Sequence, residues 1–97
     1  MEFSIRFTDS AIEDLDYYRK NERLLIADCS KLFLTHGANL QTRRRKPLRP
    51  NRIAQWELRI DNYRVFYDFE DEDSVKIVAV GHKEQNDLFI RGKKVEL

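Results

Sequence analysis

Hydrophobic and polar positions change their period along this chain, and each change marks a different kind of element. Phe3, Ile5 and Phe7 alternate with Ser4, Arg6 and Thr8, the period of two expected of a half-buried strand. From residue 9 to about 21 the spacing turns helical, with Ala11, Ile12, Leu15 and Tyr18 on one face. Ser10 and Glu13 have capping-box spacing, and Asp9, Glu13 and Asp14 put negative charge near that helix's positive end. Asn21 is the predicted stop. A second stripe runs through Leu25, Ile26, Cys29, Leu32 and Phe33, closed by Gly37 in C-cap position. Two helices so close in sequence predict an antiparallel helix pair.

Residues 38–53 hold Pro47, Pro50 and six of the chain's basic residues, which predicts a loop or an edge strand. Strand patterns follow at Ala54–Ile60, Tyr63–Phe69 and Val75–Val80. Asp61-Asn62 suits a two-residue hairpin turn, because both residue types tolerate positive φ. Beyond Gly81 a short polar segment is expected to wrap the sheet edge. The predicted fold class is α+β: an N-terminal strand, the helix pair, then a three- to four-stranded antiparallel sheet with both helices on one face. At 97 residues the expectation is one domain spanning 1–97.

Charge changes this picture in one place. The net charge is only +1, yet Arg43–Arg64 carries eight basic residues (Arg43, Arg44, Arg45, Lys46, Arg49, Arg52, Arg59 and Arg64) against Glu57 and Asp61. A basic middle on an otherwise acidic chain sets up a local anion-attracting field. Cys29 stands alone, so neither a disulfide framework nor a thiolate metal cage is expected, and its place on the apolar stripe makes it core. The apolar run Ile77–Val80 is far short of the ~20 residues of a membrane helix. The N-terminus lacks a signal-peptide pattern. A soluble cytoplasmic protein with no membrane association is expected.

A two-residue loop at 61–62 fixes a register in which 60 faces 63, 59 faces 64, 58 faces 65, 57 faces 66 and 56 faces 67. One sheet face then carries Trp56, Leu58, Ile60, Tyr63, Val65 and Tyr67, to be packed against Leu15, Tyr18, Leu25, Cys29, Leu32 and Phe33. The other carries Glu57, Arg59, Arg64 and Phe66, with Arg59 directly opposite Arg64. Like charges so placed repel. They can be neutralised diagonally by Glu57, splay into solvent, be separated by a bulge that shifts the register, or await an anion. Guanidinium is planar, always charged and shaped for bidentate contact with phosphate. Arg43, Arg44, Arg45, Lys46, Arg49 and Arg52 would give such a site a basic approach path for RNA phosphate. If Val78 and Val80 continue this face, His82 lies at its rim, with a side chain suited to proton transfer near neutrality. Glu57, two positions from Arg59, is read as the pair's counter-ion.

The segment from Trp56-Glu57-Leu58-Arg59 through Tyr63-Arg64-Val65-Phe66-Tyr67-Asp68, followed by Val78-Ala79-Val80-Gly81-His82-Lys83, resembles the RelE/ParE toxin family. The Phe3–Phe7 strand, the helix pair and Pro47-Leu48-Arg49-Pro50 extend the resemblance over nearly the whole chain. It implies a toxin of a type II toxin–antitoxin system, held inactive by a cognate antitoxin. RelE-like members enter the ribosomal A site and cut mRNA, whereas ParE-like members inhibit DNA gyrase. The cutters use basic residues at positions matching Arg49, Arg59, Arg64 and Lys83, where they would grip the scissile phosphate. The RNA 2′-hydroxyl would be the nucleophile, so no metal or other cofactor is implied. A family lysine is matched by Glu57 and a family tyrosine by Phe89, which leaves His82 or Glu57 to move protons. The leading expectation is a ribosome-dependent mRNA endoribonuclease whose catalytic set is Arg59, Arg64, His82 and Lys83. Its rivals are a gyrase inhibitor and a non-catalytic RNA-binding domain.

Overall fold

In the computed structural model, which describes residues 2–97, the chain runs β1 (Ser4–Phe7), α1 (Asp9–Asp16), α2 (Lys20–Leu34), β2 (Arg45–Pro47), β3 (Trp56–Ile60), β4 (Tyr63–Asp71), β5 (Ser74–Glu84), β6 (Asp87–Ile90) and β7 (Lys93–Val95). Strands β2 to β7 lie side by side in sequence order, and each pairs antiparallel with the next. Strand β1 joins parallel to the first half of β5, from Ser4 opposite Ser74 to Phe7 opposite Ile77. This is the α+β arrangement the sequence predicts.

The sheet is larger than expected. Seven strands are present among the described residues, because the segment after Gly81 continues β5 and then doubles back twice. Both reversals are two-residue turns with positive φ, at Gln85-Asn86 (φ 50°, 74°) and Arg91-Gly92 (φ 51°, 76°), the conformation that matches the twist of a hairpin. The polar residues that suggested an edge wrap are the turn residues of these hairpins.

The helix boundaries also differ. Thr8, not Ser10, caps α1, its hydroxyl accepting from the Ala11 amide at 3.1 Å. The helix stops at Asp16 rather than near Asn21. Tyr18 then turns into the core, and Arg19 adopts an extended conformation (φ −68°, ψ 160°) as N-cap of α2. Glu22 accepts the Arg19 amide at 3.1 Å, supplying the cap that lets the second helix begin there.

Both helices pack on one sheet face: α1 against β5 and β1, α2 against β3 and β4. The core beneath them contains Leu58, Ile60, Val65, Tyr67, Val75, Ile77 and Val80, met by Ala11, Ile26 and Leu34, with Leu15, Cys29, Phe33, Trp56 and Tyr63 at its margin. Leu25 and Leu32, expected in this core, are exposed, as is Ile12. Positions Ile26, Ser30 and Leu34 run down the centre of the contact, and Leu25 and Leu32 fall outside it. A second apolar cluster lies on the opposite face: Phe66, Ala54, Ala79 and Leu88, bordered by Leu48, Ile53, Val78, Ile90 and Val95. It buries Phe66 completely.

Between Ile77, where β1 stops pairing, and His82, where β6 starts, one edge of β5 has no strand beside it. Helix α1 closes this gap. The Thr8 amide donates to the Ile77 carbonyl at 3.0 Å, and the Val80 amide donates to Asp14 Oδ2 at 3.0 Å. Asp14 is only 2% exposed, and its Oδ1 accepts from Arg91 Nε at 2.6 Å. Asp14→Ala is expected to lower unfolding stability by about 2–3 kcal/mol, since it strands a buried amide and removes the partner of Arg91. Arg91→Ala should cost less, because that side chain is 43% exposed. Chemical denaturation of the two variants checks the order.

Candidate nucleic-acid interface

The β3–β4 register agrees with the one predicted, pair by pair from Trp56–Tyr67 to Ile60–Tyr63, and sets Arg59 opposite Arg64. Neighbouring strands extend the face. Lys46 on β2 is opposite Glu57, and Gly81 on β5 is opposite Arg64. Alternation along β5 then brings Lys83 to the same side. One face thus presents Lys46, Glu57, Arg59, Arg64 and Lys83.

Its charges are incompletely matched. Glu57, 4% exposed, accepts from Arg59 Nε at 2.8 Å, so it is the counter-ion of that arginine. Arg64 Nη1 donates to the carbonyls of Asp61 (3.0 Å) and Tyr63 (2.9 Å). Arg64 Nε is buried and has no hydrogen-bond partner among the described residues. Desolvation draws the Arg64 guanidinium below its ordinary pKa; Glu57 opposes this and Arg59 adds to it. An oxyanion over the pair would relieve both the desolvation and the repulsion.

The loop between β2 and β3 carries Arg49 and Arg52, both exposed. Asn51 organises it: its amide donates to the carbonyls of Arg49 (2.7 Å) and Ala54 (2.9 Å), and its oxygen accepts from the amides of Ile53 (2.7 Å) and Ala54 (3.0 Å). Leu48, Ile53 and Ala54 hold the loop on the Phe66 cluster. The loop that carries the two arginines therefore lies on the arginine side of the sheet. Asn51 was not singled out in the sequence, where it is one polar residue beside a proline.

The Arg43–Lys46 run does not act as a unit. Arg43 is exposed. Arg44 stacks over the Phe33 ring, 4.4 Å from its centroid. Arg45 is opposite Leu58, on the helix side, and donates to the carbonyls of Phe33 (2.8 Å) and Leu40 (3.1 Å), closing the end of α2. Of the two basic residues within β2, Lys46 shares the Arg59–Arg64 face. Strand alternation separates Arg45 from Lys46, while Arg44, just before the strand, is held by the Phe33 ring.

His82 also lies elsewhere than expected. It is opposite Tyr63, and Val80 is opposite Val65, so both belong to the helix side rather than continuing the arginine face. His82 Nδ1 is 2.7 Å from the Tyr18 hydroxyl and Nε2 is 2.8 Å from Glu84. Phe89 stacks on its ring at 5.7 Å, so Phe89 is off the arginine face too. Beside this histidine, Tyr17, Tyr18, Arg19, Glu22, Asn62 and Tyr63 line a cavity of about 310 Å³.

Two helices thus cover one face of the sheet, and the hairpin that pairs Arg59 with Arg64 lies on the other. Residues 5–87 match the family described as the ParE toxin of type II toxin–antitoxin systems, and the chain belongs to that family. The fold is similar to a chain in the crystal structure of the RelBE2 toxin–antitoxin complex from Mycobacterium tuberculosis, with TM-score 0.73 and 26% identity, covering 86% of this chain and 93% of that one. No curated protein sequence matches it.

The Tyr63 hydroxyl donates to Glu22. That bond, with the Arg19 amide, holds the Glu22 carboxyl below its usual range, while the same bond pushes Tyr63 up to about 12. A carboxyl with a depressed folded-state pKa adds stability above its unfolded pKa and loses it as pH falls through the folded value. Tyr63→Phe should raise the Glu22 pKa toward the ordinary carboxylate range and flatten the acid side of the stability profile, as read by NMR titration and denaturation below pH ~5.

Proposed function

We propose that this toxin acts on RNA and blocks translation, with Arg59 and Arg64 holding a backbone phosphate and Lys83, Lys46, Arg49 and Arg52 guiding the strand to them. The observation that carries this reading is the buried Nε of Arg64, without a hydrogen-bond partner among the described residues, opposite a second guanidinium paired with Glu57. Such a pair is costly without an anion and well formed to receive one.

Cleavage on this face needs no group from outside it. Arg59 and Arg64 take the non-bridging oxygens, and Arg59 leaves Glu57 as it turns to the phosphate. The RNA 2′-oxygen attacks the adjacent phosphorus while its proton passes to Glu57. The P–O5′ bond breaks, and the leaving 5′-oxygen takes a proton from the Lys83 ammonium. The products are a 2′,3′-cyclic phosphate and a 5′-hydroxyl. His82 takes no part, being on the other side of the sheet. Charge stabilisation by the arginines is the main contribution to the rate. The ribosome supplies the strand, and a cognate antitoxin restrains the toxin.

A gyrase-directed toxin is the second reading. It is favoured by the ParE description of the matched family and by the position of His82 and Phe89 off the arginine face.

Arg64→Ala should keep the fold and lower toxicity, with RNA cleavage falling about 10²–10³-fold for one lost transition-state contact. Primer extension on mRNA from a reconstituted translation reaction measures this. Unimpaired translation together with blocked DNA supercoiling would transfer the function to the second reading.

A further inference from the structure

The cavity beside His82 lies at the same hairpin tip as the arginine face, but around its other side. Tyr63 precedes Arg64 in β4, and His82 precedes Lys83 in β5. The Lys83 amide donates to the Asn62 carbonyl at 2.7 Å, which ties the tip to β5 at the point where the two faces meet. Adjacent residues of β4 and β5 thus line the two sides, Tyr63 and His82 the cavity and Arg64 and Lys83 the arginine face.

The lining suits a planar, polar-edged ring. Tyr17 is 53% exposed, and its ring stands nearly parallel to His82, at 12° and 6.5 Å between centroids. Tyr18 meets Tyr17, Tyr63 and His82 edge-on, fixing the wall behind them. Tyr17 also leans on Gly92, where a Cβ would come within 2.9 Å of its hydroxyl; the absence of a side chain there lets the ring keep this orientation. Hydrogen-bonding groups surround the opening. The Glu22 carboxylate, the Asn62 amide and the Arg19 guanidinium belong to residues of this lining. Stacking surface with donors and acceptors at its edge is how proteins hold unstacked bases of single-stranded RNA.

We propose that this cavity is a base-binding subsite, in which Tyr17 stacks an unpaired RNA base next to the phosphate held by Arg59 and Arg64. The inference rests on the RNA reading above and adds a subsite to it. Asn62, Arg19 and Glu22 contact the base edge, and the aromatic wall gives the toxin a grip that salt does not screen.

The test uses the full-length toxin separated from its antitoxin and a short fluorescent 2′-O-methyl RNA, which lacks the nucleophile and is not cut. Tyr17→Ala should weaken binding about 5- to 150-fold, the usual range for losing one base–aromatic stack. Tyr17→Phe, which keeps the ring, should bind like the parent. An abasic residue at one position of the RNA should weaken binding to the parent and leave binding to Tyr17→Ala unchanged. If Tyr17→Ala does not fold, 4-thiouridine crosslinking to the parent serves instead, with adducts expected on the peptides containing Tyr17 or Tyr63. Unchanged affinity in Tyr17→Ala alongside weakened binding by Arg64→Ala, or crosslinks confined to β2 and β3, overturns the subsite and leaves the RNA reading standing. Loss of antitoxin binding without loss of RNA binding assigns the cavity to a protein side chain and also overturns it. A parent protein with no affinity for RNA removes the RNA reading itself, and the subsite with it.

Discussion

The buried carboxylate of Asp14 is the interaction on which the rest of the architecture depends. Strand β5 is long and central, and its outer edge is shared between a parallel partner at one end and an antiparallel partner at the other. The stretch between them would expose unpaired backbone in the middle of a sheet, which proteins do not tolerate in buried surroundings. Asp14 answers the Val80 amide there and binds Arg91 from the β6–β7 turn with its other oxygen. One side chain thereby joins the first helix, the central strand and the last hairpin. Because it is nearly inaccessible to water, its ionic partner is a requirement of burial rather than an ornament of the surface.

Fixing β6 and β7 in this way has consequences for the face that carries the arginines. The hairpin supplies Leu88, Ile90 and Val95, and the β2–β3 loop supplies Leu48, Ile53 and Ala54, to an apolar cap over Phe66 and Ala79. A sheet covered on one face only would leave Phe66 in water. Here the cap hides it and leaves a bounded strip, with Arg59, Arg64, Lys46 and Lys83 on the same side as a nearly buried Glu57. The low-dielectric margin strengthens every charge interaction in that strip, including the repulsion between the two arginines. The electrostatic character of the face is thus a property of its apolar surround as much as of its basic residues.

The amino-acid pattern alone determined the order of β1, the two helices and β3 to β5, the α+β class, the hairpin register and the opposition of Arg59 and Arg64. These are local consequences: side-chain period, turn length and strand alternation act within a few residues. It also carried the resemblance that the family match bears out. Tertiary structure alone decided the rest. Which side of β5 His82 takes depends on its register with β4, including the shift between Phe66 and Tyr67, and a one-residue slip moves every side chain to the other face. Arg44 and Arg45 left the basic cluster because the end of α2 and the Phe33 ring happen to lie beneath β2. Leu25 and Leu32 became surface because the sheet contacts a narrower strip of α2 than its apolar residues span. Each of these outcomes is set by contacts between residues far apart in sequence, and no local period encodes them.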